Sequence, residues 1–429
     1  MLNIIGAAIA LACLITAFTF LRRKRLIDDT PTSRALGVFI GLTELKGTAE
    51  SETPLTSRLA GIPCVRYSWR IEEHWSRTVM ETYRDSKGRT QTRTRHESGW
   101  TEVAHGGESA PFYLRDDTGL VRVVPDGARI EDNELLDKTV TQTDPLYFAK
   151  GPGKEIANSD HRRRFSETGI PLHTKLYVVG QARERQDVVA AEIARDKNSP
   201  IFLISTRTEK QVSSGFGAGY WVFMALGLVA ALAGVLVNGM VSGASGWPSY
   251  VIATAAYVLA LALGWAWLAY NSMVNLRQRV RQAWAQVDIQ LKRRHDLIPN
   301  LVQVVEGYST HEREVQTFVA QMRQQIIATP PGVEGPDYAG VAAGLRAVAE
   351  RYPDLKASEM FLKLQGSLTE TEQRIALARD YCNDIASFYN ARLEIVPDRF
   401  IARLMQLPPQ PLISAANFER APINVKLAE

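Results

Sequence analysis

Hydrophobic positions are distributed unevenly along this chain of 429 residues. From Gln211 to Leu276 no Asp, Glu, Lys, Arg or His occurs, although 22% of all residues are Asp, Glu, Lys or Arg. This stretch is long enough for two membrane spans of about 20 residues each and a turn between them. It predicts a membrane hairpin with transmembrane helices at 220–240 and 251–270. The alternative is a pair of buried helices within a large soluble protein.

A third apolar run, residues 1–21, begins the chain and predicts an N-terminal transmembrane helix. Four basic residues follow it directly, and basic residues also stand before and after the hairpin. Because Lys and Arg beside a span tend to stay in the cytoplasm, the N-terminus is predicted outside and both large polar regions inside. The mirrored topology, with both regions outside, is the alternative.

The basic residues beside the spans also suggest contact with lipid headgroups, because anionic lipids attract Lys and Arg near the membrane surface. The candidate residues are Arg22, Arg23, Lys24, Arg25, Arg277, Arg279 and Arg281. Membrane lipid is therefore an expected partner. The net charge of only +4 does not indicate a nucleic-acid partner.

The region 36–212 reads as β-rich and is predicted to form a cytoplasmic domain. β-Forming residues and alternation predict strands at 64–71, 112–114, 120–124, 175–179 and 201–205. Asp116 and Asp117 begin a DDTG segment between two of these strands, which favours a turn over a pair of catalytic carboxylates. The polar stretch 78–99 predicts an exposed hairpin or loop with Lys87 and Gly88 at its tip.

The region 271–429 has the periodicity of helices. One apolar stripe runs from Leu276 to Leu291 and resumes at Ile298, with a kink or break expected near Asp296 because Pro299 lacks a backbone donor. A second stripe has apolar positions at alternating spacings of three and four. It consists of Phe361, Leu364, Leu368, Thr371, Ile375, Ala378, Cys382, Ile385 and Tyr389. Such a seam is more often a domain's own core than an interface between subunits.

Between the two stripes, helices are expected at 312–325 and 341–351, with a loop at 329–338. Three or four antiparallel helices account for this pattern. The predicted fold class is therefore an α+β membrane protein with a β-rich domain, transmembrane helices and an antiparallel helix bundle.

Four phrases in the β-rich region resemble the GIDE domain of mitochondrial membrane-bound ubiquitin ligases. They are ETPLTSRLAGIPCVRYSWRIEE from Glu52, PFYLRDDTGLVRVVPDGA from Pro111, ETGIPLHTKLYVVGQA from Glu167 and IFLISTRTEKQV from Ile201. In those ligases a RING finger with paired Cys and His ligands transfers ubiquitin, and no such pattern follows here. The resemblance therefore implies a membrane-proximal binding or assembly module without ligase activity.

The helical region resembles the LemA family of bacterial membrane proteins. The phrases are YNSMVNLRQRVRQAW from Tyr270, DIQLKRRHDLIPNLV from Asp288, VEGYSTHE from Val305 and FLKLQGSLTETEQRIALARDYCNDIASFYN from Phe361, followed by NFE at Asn417. The resemblance implies an elongated helix bundle beside a membrane span. It also implies a bacterial inner membrane as the location.

No arrangement of residues in the sequence indicates catalysis, a cofactor or a metal site. His295 and His311 would lie about 24 Å apart on a continuous helix, and Cys13, Cys64 and Cys382 lie in different segments without CxxC spacing. The sequence therefore predicts a non-enzymatic, homo-oligomeric scaffold that organises membrane or unknown protein partners. The alternative is an accessory module that presents a ligand or partner to a separate enzyme.

Overall fold

The computed structural model describes residues 2–84, 90–185, 190–197, 199–243, 246–308 and 359–413, with isolated positions between 316 and 350. Its helices are α1 (Leu2–Asp28), α2 (Leu146–Ala149), α3 (Glu209–Ser242), α4 (Trp247–Tyr308), α5 (Glu359–Glu394) and α6 (Asp398–Leu404). Its strands are β1 (Thr32–Ser33), β2 (Gly41–Glu50), β3 (Leu55–Thr56), β4 (Pro63–Arg84), β5 (Thr90–Ser109), β6 (Phe112–Arg115), β7 (Leu120–Val123), β8 (Arg129–Glu131), β9 (Asn133–Thr141), β10 (Ser159–Pro171), β11 (Lys175–Glu184), β12 (Ala191–Ala194) and β13 (Leu203–Ser205). The predicted fold class is confirmed.

The chain divides into two compact units. The β-rich unit comprises residues 34–209, and the helical unit combines residues 1–33 with residues 210–429. Within the helical unit, three helices are long and apolar enough to cross a membrane: Ile4–Asp28, Glu209–Val241 and Trp247–Leu301. These helices contain the three apolar runs seen in the sequence.

Five strands of the β-rich unit close on themselves in the order β2-β6-β7-β12-β11, with β11 pairing back onto β2. All neighbours in this ring are antiparallel except β7 and β12, which run parallel. This is a five-stranded Greek-key barrel of the OB type. Its apolar core contains Leu45, Phe112, Val123, Val178 and Ile193.

A second, antiparallel sheet has the order β3-β4-β10-β9, and β5 pairs with β4 outside that path. Its separate apolar core includes Trp69, Ile71, Tyr147 and Phe165. The predicted strands all lie in or overlap observed strands, and β4 and β5 form the predicted hairpin. The expected tip at Lys87 and Gly88 lies outside the described residues.

Asp116 makes the contacts that the predicted turn requires, and Asp117 pairs with Arg34. Asp116 accepts hydrogen bonds from the backbone N–H groups of Thr118 and Gly119 within the β6–β7 connection, and from Ala35. Partial burial favours a higher pKa for Asp116, but these donors hold it below the ordinary value of 3.8. The turn prediction is confirmed.

The seam predicted in the C-terminal region is buried within the chain, where α5 packs against α4. Its buried residues are Phe361, Leu368, Thr371, Ile375, Ala378, Cys382, Ile385 and Tyr389. Leu364 is only half-buried, while Ala386 joins the buried face. The seam is therefore part of the helical unit's own core, as predicted.

Helix α4 continues without a break from Trp247 to Tyr308 and includes Pro299. A break near Asp296 is therefore wrong. Ile298 and Leu301 are both fully buried beside the proline, so tertiary packing on this face outweighs the one missing backbone hydrogen bond. The predicted helix at 312–325 lies largely outside the described residues, and the loop at 329–338 and all but one residue of the helix at 341–351 lie outside them too.

Small residues let the apolar helices approach closely. A side chain on Gly227 of α3 would meet the Tyr257 hydroxyl of α4 at 2.6 Å, and one on Gly6 of α1 would meet the Gly234 backbone at 2.7 Å. Tyr257 also donates a hydrogen bond to the carbonyl of Met224. These small residues therefore pack the helices of one chain together.

Candidate membrane-proximal site

The C-terminal end of α1 lies where its apolar sequence gives way to charge. Arg25 is buried there, and its guanidinium makes two hydrogen bonds to the carboxylate of Asp398, at 2.9 and 3.0 Å. Asp398 belongs to the first turn of α6 and is also buried. A bidentate pair of this kind fixes distance and orientation together. It therefore holds α6 against the end of the first apolar helix.

A second ion pair, in which Asp29 is buried and Arg392 is half-buried, lies beside the first. Arg392, near the end of α5, contacts the Asp29 carboxylate at 2.8 Å and reaches Asp398 at 3.6 Å. Burial disfavours the charged guanidinium, but the Asp29 and Asp398 carboxylates raise the pKa of Arg392 above its ordinary value. Two arginines and two aspartates thus neutralise one another. We refer to Arg25, Asp29, Arg392 and Asp398 as the ionic cluster.

The long helix α4 also contacts the ionic cluster. The Ser272 hydroxyl donates a hydrogen bond to the Asp29 carboxylate at 3.2 Å, and Arg279 donates to the Asp29 carbonyl at 3.1 Å. Arg279 further contacts the Tyr381 hydroxyl on α5 at 3.4 Å. Four helices, α1, α4, α5 and α6, therefore meet at this level.

The start of α3 joins the same level through Ser213. Its hydroxyl donates to Asp28 at 2.6 Å and accepts a hydrogen bond from Lys24 at 3.2 Å. Rings of Phe20 and Phe216 lie 6.0 Å apart just inside this polar contact. The charged ends of all three apolar helices are thus tied together by side chains.

A cavity of about 410 Å³ lies between α1 and α4, next to the ionic cluster. Phe18, Trp267 and Leu268 line its apolar part, and Arg22 and Arg279 line its polar part. A side chain on Gly264 would meet the Phe18 ring at 2.3 Å, so α1 and α4 touch at the apolar end. The cavity therefore has an apolar end and a charged end. Arg25 and Asp29 of the ionic cluster also line the charged end, which we call the basic end because arginines predominate there.

The seven basic residues proposed for headgroup contact have different environments. Arg22, Arg23 and Arg281 are exposed, Lys24 pairs with Asp28, and Arg25 is buried in the ionic cluster. Arg277 and Arg279 are half-buried on α4. Lipid contact by these side chains stays a prediction, and Arg25 already has its charge matched within the protein.

Sequence reasoning missed the acidic half of the ionic cluster and Arg392. Asp28 and Asp29 follow the basic run after two apolar residues, and such carboxylates at the end of a span are a usable signal of internal pairing. No local pattern connects Arg25 with Asp398, because 373 positions separate them. Only the fold brings them together.

The β-rich unit contains a different buried pair. Arg163 and Glu73 are both fully buried and lie 2.9 Å apart, and Arg163 also donates to the carbonyls of Tyr147, Pro152 and Lys154. The guanidinium stacks over the Tyr147 ring at 4.0 Å. Burial, helped by Glu155, raises the pKa of the Tyr147 phenol to about 12. These contacts hold the segment 145–155 against the second sheet.

Comparison with known proteins finds relatives named LemA and MamQ. A protein LemA from Metamycoplasma hominis is 23% identical over 160 residues, which cover 36% of this chain and 73% of the relative. Magnetosome protein MamQ 2 from Paramagnetospirillum magneticum is 21% identical over 165 residues, covering 32% of this chain and 61% of that protein. Magnetosome protein MamQ from Magnetospirillum gryphiswaldense is 20% identical over 167 residues, with the same two coverages. The chain thus spans less than two thirds of the magnetosome proteins' length.

Two family models match separate parts of the chain. The LemA family model matches residues 283–427, and the GIDE model, whose description is E3 ubiquitin ligase, matches residues 80–238. Both resemblances seen in the sequence are confirmed. The protein therefore joins a segment that matches the GIDE family to a segment that matches the LemA family.

Proposed function

We propose that the protein is a non-enzymatic scaffold of a bacterial inner membrane, in which a homo-oligomer organises membrane or partner proteins on the cytoplasmic face. The observation that carries this proposal is the ionic cluster, which ties α5 and α6 to the end of α1. Tied in this way, α5 and α6 keep a constant height and orientation relative to α1, the first membrane anchor. The match to the LemA family and the relatives named as magnetosome proteins support it.

The oligomeric state tests the scaffold directly. Mass photometry of the full chain released in mild detergent is expected to give one large homo-oligomeric species. Imaging in native lipid should give the same stoichiometry and report whether the assembly bends the membrane. A monomer under both conditions would overturn the scaffold.

The orientation rests on the basic residues that flank the apolar helices. A phosphatase reporter that works only outside the cytoplasm should be active when fused near Gly246, between α3 and α4. Fusions within the β-rich unit and after α6 should be inactive. The opposite pattern would establish the mirrored topology and place the scaffold on the other face.

A second candidate function is an accessory module that presents a ligand or partner to a separate enzyme. The β4–β5 ribbon favours it, because β4 pairs with β10 only as far as Trp75 and the rest of the ribbon has two strands. Met80 and Tyr83 are exposed on this part, and exposed strand edges can accept a partner's strand. Proximity labelling from the ribbon should then recover one recurrent soluble enzyme. Repeated labelling without such an enzyme would count against this function.

A further inference from the structure

The cavity between α1 and α4 extends across the level at which charge first appears in both helices. Arg22 is the first charged residue of α1, and Arg277 is the first after the charge-free stretch in α4. Phe18 lies about one turn before Arg22, and Gly264 lies roughly 20 Å before Arg277 along the helix. Because Phe18 and Gly264 touch, the apolar end of the cavity lies within the charge-free part of both helices, about 6 Å before the first charge of α1 and about 20 Å before that of α4.

Only some of the charged groups around the cavity have a partner of opposite charge. Arg25 pairs with Asp398 and Asp29 pairs with Arg392, so these four groups need no outside partner. Arg279 donates only to neutral oxygens, the Asp29 carbonyl and the Tyr381 hydroxyl. Among the described residues, neither Arg22 nor Arg279 has a carboxylate within ion-pair distance. The basic end thus offers two guanidinium groups to an anion.

We propose that this cavity binds one anionic phospholipid. Arg22 and Arg279, which line the cavity at different heights, attract its anionic headgroup, and one acyl chain lies against Phe18 and Leu268. A cavity of about 410 Å³ accommodates a headgroup and the upper part of a chain, but not a whole lipid. The rest of the lipid lies in the bilayer, so the site accepts a lipid that is part of the membrane.

This site goes beyond the scaffold function, since it requires neither oligomerisation nor a protein partner. It also distinguishes two of the seven basic residues from the others. Arg23 and Arg281 are exposed but do not line the cavity. They contribute general attraction to anionic lipid, whereas Arg22 and Arg279 select a single molecule.

Native mass spectrometry of the full chain tests the site. The detergent-solubilised protein is stripped of lipid and titrated with phosphatidylglycerol or with phosphatidylcholine. We expect one phosphatidylglycerol to remain bound per chain, with at least tenfold preference over phosphatidylcholine. Equal retention of the two lipids, or no retained lipid, would overturn the proposal.

Two double variants test which basic residues bind the lipid. The double variant R22Q/R279Q should weaken phosphatidylglycerol binding at least tenfold. The matched control R23Q/R281Q removes the same charge from the same two helices and should stay within twofold of the unsubstituted protein. Equal losses in both double variants would mean that only diffuse attraction operates, which would overturn a specific site.

Two further measurements separate folding and free phosphate from lipid binding. R22Q alone changes an exposed side chain that has no ion pair with the residues the structure describes, so it should weaken binding about threefold without changing thermal unfolding. Inorganic phosphate at millimolar concentration should not displace the lipid, because it cannot occupy the apolar end. Displacement by phosphate would identify an anion site instead and overturn the lipid proposal.

Discussion

The two units of this protein both bury charged groups, but these groups connect different kinds of segment in each unit. In the β-rich unit, Arg163 and Glu73 lie on adjacent strands, and the remaining donors of Arg163 are satisfied by nearby backbone carbonyls. In the helical unit, the ionic cluster joins Arg25 and Asp29 to residues of α5 and α6 that lie more than 350 positions further along the chain. The first pair holds a loop on a sheet. The second connects helices that are far apart in the sequence.

The contrast has a physical basis. Apolar helix faces can slide or rotate past one another at modest cost, because many arrangements bury similar area. A buried charge tolerates few arrangements, since leaving it without its partner costs several kcal/mol. We therefore expect the apolar seam to supply most of the stability of the helical unit and the ionic cluster to restrict the arrangement of its helices.

The largest expected effect comes from breaking the pair in the β-rich unit. Arg163→Ala leaves Glu73 buried without its partner and removes hydrogen bonds to three carbonyls. We therefore expect the free energy of unfolding of the β-rich unit to fall by about 3–5 kcal/mol. Hydrogen exchange across residues 145–155 should rise strongly while α4 is unchanged. Arg164→Gln, on the exposed face of the same strand, is the control and should leave exchange unaltered. If residues 145–155 exchanged equally slowly in both variants, the buried Arg163 would matter no more than the exposed Arg164.

Asp398→Asn should have the next largest effect. It leaves Arg25 buried without a negatively charged partner, while Arg392 keeps its ion pair with Asp29. We therefore expect the free energy that holds α6 against the other helices to fall by about 3 kcal/mol. The loss should appear as faster hydrogen exchange in α6 and the end of α5, with the β-rich unit unaffected. Arg399→Gln changes the exposed neighbouring residue and should have no effect. If D398N instead destabilised α1, α5 and α6 no more than R399Q does, the cluster would not determine their register.

The smallest effect concerns the turn at Asp116, where a carboxylate is bonded to backbone donors instead of a cation. The pKa of Asp116 is lowered in the folded protein below its ordinary value of 3.8. The stability that its carboxylate contributes is therefore complete at a pH above 3.8 and is lost as the pH falls through the pKa of the folded state. Asp116→Ala should cost about 1 kcal/mol at neutral pH, as for the loss of a cap. Thermal unfolding followed from about pH 6 to about pH 3 should show a decline that the variant lacks. An identical decline in the variant would assign the acid sensitivity to other carboxylates.

Much of the fold was readable from local pattern. The alternation around Ile71 and Val178 and the spacing of Phe361 to Tyr389 each report a single element's own buried face. The ionic cluster was not readable, because Arg25 looks like an ordinary basic residue after a span until Asp398 is placed beside it. The break expected near Asp296 was wrong for a related reason. Its missing donor is a local cost, whereas the burial of Ile298 and Leu301 that outweighs it depends on the partner helix.

The candidate lipid cavity was likewise only half predictable. The basic residues were visible as a group, but the sequence could not show that Arg23 and Arg281 lie away from the cavity that Arg22 and Arg279 line. Their difference comes from the rotation of α1 and α4 about their axes. That rotation is determined by close contacts such as the approach of Phe18 to Gly264.

The unbroken course of α4 makes this helix a mechanical lever. Its 62 residues correspond to about 93 Å, and the part beyond Leu276 measures about 48 Å. Because no joint separates the apolar part from the charged part, a tilt of 10° in the bilayer would displace the far end by roughly 8 Å. If α4 spans a bilayer, changes in membrane thickness or curvature that alter its tilt would therefore move its far end by a similar distance.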